Sequence, residues 1–168
     1  GVFALDTTFF RNLLKIVGPI PMPEYGLQIT DQNFMRDVQY QVEIGYFKDK
    51  ENWSENQPKK ILADMMPKFI NLLTQKGSKQ KQISAEVVKA ISEKHLLFYF
   101  NNNKLEDLIE GAGAGGEIRQ SGGDYLYISD ANIGGYKSSL NIAQTVTQKI
   151  EIKSDGAVDE NISIVRKH

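Results

Sequence analysis

Hydrophobic residues recur at helical spacing through most of the first 110 positions of the chain. The first run follows Asp6-Thr7-Thr8, a cluster of good N-cap residues, and Gly18-Pro19 ends it as helix C-terminal signals do. The same spacing predicts four further helices, which are capped by Thr30 or Asp31, opened by Pro58, capped by Ser84 and capped within residues 101–103. Pro67 lies inside the third pattern and is expected to kink or split that helix.

Strand-like patterns are short in this first part and long after it. Residues 27–29 are predicted to form a short strand, and the almost wholly apolar residues 96–100 a buried one. Beyond Gly111, strands are predicted at Ile118 and over residues 125–128. From Leu140 the hydrophobic residues alternate, and residues 153–156 carry a strong hairpin-turn signal before an alternating return strand.

This order of elements indicates an α+β fold. The chain is helix-rich over residues 1–110 and strand-rich over 115–168, so we expect the helix-rich N-terminal two-thirds to pack on a mainly antiparallel sheet that includes a long C-terminal β-hairpin. The length suits a single domain, or the C-terminal part of a larger one. Both ends fall in strand-like patterns, which favours a longer polypeptide.

Composition narrows the function classes without selecting one. Twenty basic residues against twenty-one acidic ones leave no basic excess, which argues against nucleic acid as a partner. The absence of cysteine excludes disulfides, thiol catalysis and cysteine metal sites. No apolar run approaches the roughly 18 residues that a membrane span requires, so this fragment is not expected to span a membrane.

The strongest candidate site is a polar turn that follows the predicted strand at residues 125–128. Asp130, Asn132 and Lys137 lie there, and Arg119 is a candidate to bind an anion beside them. The same residues are common turn formers, and with Asp124 the oxygen ligands could hold calcium. Lys137 adds three options: a solvated lysine, a buried lysine–carboxylate pair, or an isopeptide bond to asparagine.

Other motifs carry weaker signals. Residues 111–116 match the pattern G-x-G-x-x-G, but a helix precedes them and a strand follows, which is the reverse of a nucleotide-binding loop. His95 and His168, the only histidines, are too far apart in sequence to indicate a zinc site. The sequence therefore predicts no catalytic residue, no metal site and no cofactor.

A family resemblance rests on an ordered set of stretches that covers nearly the whole chain. They include residues 1–7, 13–19, 42–46, 58–64, 93–97 and 123–138, the last containing Asp130-Ala131-Asn132-Ile133-Gly134-Gly135-Tyr136-Lys137-Ser138. In this order they resemble the bacterial domain-of-unknown-function family 4012. The resemblance implies a large envelope protein anchored by an N-terminal membrane helix, with this region outside the cell. It implies a location more than a mechanism.

Two functions follow as expectations. The first is a non-catalytic extracellular module for scaffolding, adhesion or cell-wall assembly, whose partners are cell-wall glycopolymers or other envelope proteins. The second comes from the weak similarity of that family to the LytR-CpsA-Psr phosphotransferases, which attach glycopolymers to the cell wall. Those enzymes cluster Arg and Asp around a polyprenyl pyrophosphate, and this chain shows no such cluster. Whether the protein is an enzyme is left open by the sequence, but the first function is favoured.

Overall fold

The computed structural model describes residues 1–48, 57–75, 77, 79–118, 122–123, 125–133 and 138–168. These residues form two compact units, Gly1–Gln120 and Ser121–His168.

The fold class predicted from the sequence is confirmed, because the chain combines helices with antiparallel sheets and ends in a β-hairpin. The helices in the described ranges are α1 Thr7–Val17, α2 Phe34–Tyr40, α3 Lys60–Thr74, α4 Gln80–Ser92 and α5 Asn103–Gly111. The strands are β1 Val2–Leu5, β2 Ile20–Met22, β3 Leu27–Ile29, β4 Leu96–Tyr99, β5 Ala143–Ile152 and β6 Val158–Lys167. A π-helical turn, Gln41–Gly45, and a last turn, Tyr46–Lys48, continue α2.

Helix α1 begins and ends where its sequence signals place it. The side chain of Asp6 accepts hydrogen bonds from the backbone N–H groups of Thr8 and Phe9, which satisfies two donors that the helix leaves unpaired. Gly18 ends the helix at a φ of 96°, a left-handed conformation that glycine adopts without a side-chain clash, and its N–H bonds to the Leu14 carbonyl. Local sequence signals therefore determine both the beginning and the end of α1.

The core of the first unit lies between α1, α2, α3 and the β2–β3 hairpin. Its buried hydrophobic residues come from every one of these elements, and they include Phe9, Phe10, Leu13, Leu14, Val17, Ile20, Met22, Ile29, Phe34, Val38, Ile61, Met65 and Phe69. The Phe10 ring lies 4.5 Å from that of Phe34 and 4.3 Å from that of Phe69, measured between centroids. Three helices therefore meet at one aromatic cluster.

Two helix boundary predictions were wrong. Ser84 does not cap α4, which begins one turn earlier at Gln80. Neither Thr30 nor Asp31 is the N-cap of α2, because Asn33 takes that position and the Asn33 side chain instead accepts a hydrogen bond from the Thr30 N–H at 2.7 Å. A local side-chain turn thus delays the helix by one turn.

Helix α3 continues through Pro67, so the predicted split does not occur. Met65 and Phe69, on either side of the proline, are both buried in the core. Proline removes one backbone hydrogen bond from the helix interior. Burial of the two flanking side chains offsets that loss.

Two small antiparallel sheets belong to the first unit. Strand β1 pairs with β4, with Val2 opposite Tyr99 and Leu5 opposite Leu96. Strand β2 pairs with β3, and its Ile20 and Met22 are fully buried. The predicted strand at residues 96–100 is confirmed as β4, but it is only partly buried, because Leu96 enters the core while Tyr99 is 52% exposed.

The second unit is dominated by the β5–β6 hairpin, whose ten residue pairs run from Ile152 opposite Val158 to Ala143 opposite Lys167. Because partners across an antiparallel pair share a face, one face carries a run of exposed aliphatic residues, namely Val146, Ile150, Ile152, Val158, Ile162 and Ile164. The other face is mainly polar, with Thr, Lys, Glu, Asp, Asn and Ser beside Ala143 and Val165. The ribbon is therefore amphipathic over most of its length, although polar side chains also lie on the aliphatic face, namely Gln144, Gln148, Glu160 and Arg166.

The strands predicted at Ile118 and over residues 125–128 are wrong. Neither segment has regular secondary structure. The alternation Tyr125-Leu126-Tyr127-Ile128 has the composition of a strand, but within the described residues no neighbouring strand pairs with it. A β-strand needs a partner for its backbone groups, and the alternation alone does not supply one.

Gly156 is required by the geometry of the hairpin turn. Its φ is 85°, and its N–H donates to the Lys153 carbonyl at 3.0 Å. We expect Gly156→Ala to destabilise the hairpin by about 1 kcal/mol, because a Cβ is strained in this conformation. Nothing lies within 4 Å of an added Cβ, so the effect should come from the backbone alone. Gly156→Asn is the control, since asparagine tolerates this conformation, and equal losses in the two variants would contradict the prediction.

Candidate functional site

Asp130, the central residue of the predicted site, is held by two side chains of the hairpin. Arg166 Nη2 donates to its Oδ1, and Gln144 Nε2 donates to its Oδ2 at 2.8 Å. Arg166 Nε also donates to Gln144 Oε1 at 2.7 Å. The three side chains form a closed ring of hydrogen bonds in which both carboxylate oxygens of Asp130 have a partner.

The hairpin register builds this ring. Gln144 and Arg166 are direct cross-strand partners near the open end of the ribbon, so their side chains lie on the same face. The sequence did not indicate either residue. A four-residue turn over residues 153–156 would bring residue 144 opposite residue 165, but the observed register places Ile152 opposite Val158 and therefore Gln144 opposite Arg166. What the sequence did not show is that Asp130 returns to this end of the hairpin.

The other predicted site residues are not brought to Asp130 by any described contact. Asn132 Nδ2 donates to Ser139 Oγ at 3.3 Å, in the segment that leads into β5. Lys137, Arg119 and Asp124 lie outside the described residues, and with them the predicted lysine pair, isopeptide bond and anion contact. The structure therefore shows Asp130 in a side-chain network and does not show the rest of the predicted site.

A second polar cluster, in the first unit, joins His95 to the start of α1. His95 Nδ1 lies 2.6 Å from Asp6 Oδ2, while Asp6 Oδ1 caps the helix. His95 Nε2 lies 3.7 Å from Glu93 Oε2. The backbone adds a link, since the Asp6 N–H donates to the His95 carbonyl at 3.1 Å. Asp6 thus ties the β1–β4 sheet to α1, which is a structural role.

Shifted pKa values occur in this cluster and in surface ion pairs. Partial burial of Asp6 raises its pKa, but hydrogen bonds from the Phe9 N–H, His95 and the Thr8 N–H outweigh that effect and hold the pKa below its usual value. The hydrogen bond from Lys68 lowers the pKa of Glu24, and the one to Asp37 raises that of Arg36. Each shift is explained by a helix cap or an exposed ion pair.

The described residues form neither a metal-binding cluster nor a helix that could span a membrane. Among these residues, no three His, Cys, Asp or Glu side chains converge to form a metal-binding group. In the same segments, each helix is too short or too polar to cross a lipid bilayer.

Comparisons with protein-family models, with curated proteins and with solved structures find no match to this chain. The family resemblance described above therefore stays a prediction, as do the function and the location that it implies.

Proposed function

We propose that the chain is a non-catalytic module of the bacterial cell envelope that acts in scaffolding, adhesion or cell-wall assembly. The observation that carries the non-catalytic part is the engagement of Asp130. A carboxylate that acts as a general base or nucleophile needs an oxygen directed at a reacting group. Both carboxylate oxygens of Asp130 instead accept hydrogen bonds, one from Arg166 and the other from Gln144.

The shifted pKa values support the same proposal. Catalytic acids and bases tend to have pKa values perturbed by burial and by charged neighbours in a cleft. Among the residues that the structure describes, the pKa shifts fall on the Asp6 helix cap and on the surface pairs Lys68–Glu24 and Arg36–Asp37. A helix cap or a surface ion pair accounts for each of these pKa shifts, and none of them requires a catalytic role. The envelope location rests on the family resemblance alone.

We predict that Asp130→Asn lowers the free energy of unfolding by about 0.2–1 kcal/mol, because it removes one exposed ion pair with Arg166. Neither the parent nor the variant should transfer glycopolymer from a polyprenyl pyrophosphate to cell wall with release of polyprenyl phosphate. The measurements are thermal unfolding and polyprenyl phosphate release at matched protein concentration. Asp159→Asn is the control, since it removes the Lys153 ion pair, 2.6 Å long, near the turn of the same hairpin.

A parent protein that turns over this substrate, with activity lost in Asp130→Asn and kept in Asp159→Asn, would overturn the non-catalytic proposal. The location has its own test. Protease treatment of intact bacteria that produce the full-length protein should cleave this region, and protection of the region until the cells are lysed would contradict an extracellular position.

A further inference from the structure

Strand β1 has one edge that no strand in the described part of the chain covers, because the sheet consists of β1 and β4 alone. The hydrogen bond from the Asp6 N–H to the His95 carbonyl shows that Asp6 directs its backbone toward β4. Backbone direction alternates along a strand. Ala4 therefore also faces β4, while Phe3 and Leu5 direct their N–H and C=O groups outward.

The neighbouring strand gives an independent check on this direction. Phe98, the register partner of Phe3, donates its N–H to the Ala114 carbonyl at 2.9 Å, away from β1. The outer edge of β4 is thus bonded to the loop after α5. The outer edge of β1 offers four backbone groups, two donors and two acceptors, from Phe3 and Leu5.

This edge lacks the features that protect most edge strands. Natural edges are blunted by charged residues, by proline or by a bulge. β1 has the sequence Val2-Phe3-Ala4-Leu5, pairs in regular register with β4, and is exposed throughout. Phe3 is 62% exposed and Val2 59%. The backbone groups of such an uncharged, exposed and apolar edge are able to pair with an additional strand.

A groove on one face of the β1–β4 sheet is lined by acidic residues, so a ligand that binds beside it should be basic. Val2, Ala4, Leu97 and Tyr99 share that face, and they form the apolar floor. Glu106 and Glu110 of α5 and Glu117 of the following loop also line the groove. No lysine or arginine is among the described residues that line it. The groove therefore has an apolar floor and an acidic lining, and its Glu106 carboxylate accepts a hydrogen bond from the Phe100 N–H at 2.6 Å, on the β4 side.

We propose that the outer edge of β1 binds an extended peptide segment of a partner protein as a third antiparallel or parallel strand, and that the segment alternates apolar and basic residues. The added strand would lie about 4.8 Å from β1. Side chains next to Val2 and Ala4 would point to the groove side, where the negative charge of the groove would attract lysine or arginine. Four main-chain hydrogen bonds would supply affinity, and the acidic groove would supply selectivity.

This inference deepens the proposed function by naming the class of partner for a binding module. It rests on contacts of the first unit and does not involve Asp130. Its test measures peptide binding and uses no enzymatic or cellular readout. Failure of the peptide test would therefore leave the non-catalytic proposal standing, and polyprenyl phosphate release dependent on Asp130 would leave the peptide site standing.

The probe is a fluorescein-labelled seven-residue peptide of alternating lysine and valine, titrated with the 168-residue chain and followed by fluorescence anisotropy. We expect saturable binding that weakens as salt is added. Leu5→Pro should weaken it by at least about tenfold, because proline removes an outward N–H that β4 does not use. Leu5→Ala is the matched control, since it shortens the same side chain and keeps the N–H, and it should stay within about threefold.

Three further tests, two with altered peptides and one with a protein variant, probe the register and the charge without depending on the folding of Leu5→Pro. A peptide N-methylated on the amides of one edge cannot pair through that edge, so one of the two alternating N-methylation patterns should abolish binding. Glu117→Lys should weaken binding several-fold and reduce its salt dependence. A peptide with glutamate in place of lysine should bind much more weakly than the basic one.

The proposal is overturned if the basic peptide does not bind, or if neither N-methylation pattern weakens its binding. Equal binding by folded Leu5→Pro would place the peptide elsewhere on the protein and would also overturn it. Analytical ultracentrifugation tests the other occupant of the edge. A concentration-dependent dimer of the parent that Leu5→Pro abolishes would assign the edge to a second copy of this chain instead of a peptide.

Discussion

Replacing Phe10 with alanine should lower the free energy of unfolding of the first unit by about 3–5 kcal/mol. Phe10 is 4% exposed, and its ring lies between those of Phe34 and Phe69. Alanine would leave a cavity where α1, α2 and α3 meet, and it would remove two aromatic contacts as well as buried area. A loss of this size is a large part of the stability of an ordinary domain.

Urea unfolding followed by far-ultraviolet circular dichroism measures this loss, because the helices of the first unit dominate that signal. The control is Leu108→Ala in α5, where the side chain is 69% exposed. It should change the free energy of unfolding by no more than about 0.5 kcal/mol. If Phe10→Ala and Leu108→Ala cost the same, the aromatic cluster is not the core of this unit.

Replacing Asp6 with alanine should cost about 2 kcal/mol, the second-largest effect we expect from a single substitution. The carboxylate caps α1 through the N–H groups of Thr8 and Phe9, and it contacts His95 at 2.6 Å. Alanine removes both interactions. Asp6→Asn separates them, because asparagine is also a good N-cap but carries no charge, so it should cost less than alanine.

The Asp6 interactions also have a definite pH dependence. The pKa of Asp6 is lower in the folded state than in the unfolded chain, so its ionised form stabilises the fold. This contribution is fully present above the unfolded value, at about pH 4, and it is lost as the pH falls through the folded-state pKa. The stability gap between the parent and Asp6→Asn should therefore be present at neutral pH and narrow in acid.

Unfolding midpoints in urea, measured for the parent, Asp6→Ala and Asp6→Asn at neutral pH and at successively lower pH, test this directly. A gap between the parent and Asp6→Asn that stays constant into strong acid would show that the charge of Asp6 contributes nothing. Equal destabilisation by alanine and asparagine at neutral pH would instead show that the cap contributes nothing.

The sequence predicted those elements whose signals are local. Helix α1 has an N-cap, an apolar face and a terminating glycine within a few residues, and its predicted and observed bounds agree. The β5–β6 hairpin has two alternating strands and a turn that requires Gly156. In both cases neighbours along the chain determine the structure.

The predictions failed where distant residues or competing local hydrogen bonds determine whether an element forms and where it begins. Ser84 is a good N-cap residue, but α4 begins at Gln80, and Lys79 just before it donates to the Val17 carbonyl at 2.9 Å, a contact across the unit. Residues 125–128 have strand composition but no pairing partner. These outcomes depend on tertiary structure that a periodicity does not contain.

The candidate site follows the same division. The sequence selected Asp130 because a polar turn follows an apolar run, and the structure gives that residue ordered partners. It did not select Arg166, which is 36 positions away along the chain. The open edge of β1 was equally invisible, since the direction of each backbone group depends on the pairing with β4 and on the bond to Ala114.

Amide hydrogen exchange in β1 tests the proposed binding edge most directly. In the free chain, the amides of Ala4 and Asp6 should exchange slowly because they bond to β4, while those of Phe3 and Leu5 should exchange as fast as solvent-exposed amides. The alternating basic peptide should then protect Phe3 and Leu5. The account is contradicted if, in the free chain, the amides of Phe3 and Leu5 exchange as slowly as that of Ala4. It is also contradicted if a bound peptide leaves the amides of Phe3 and Leu5 unprotected.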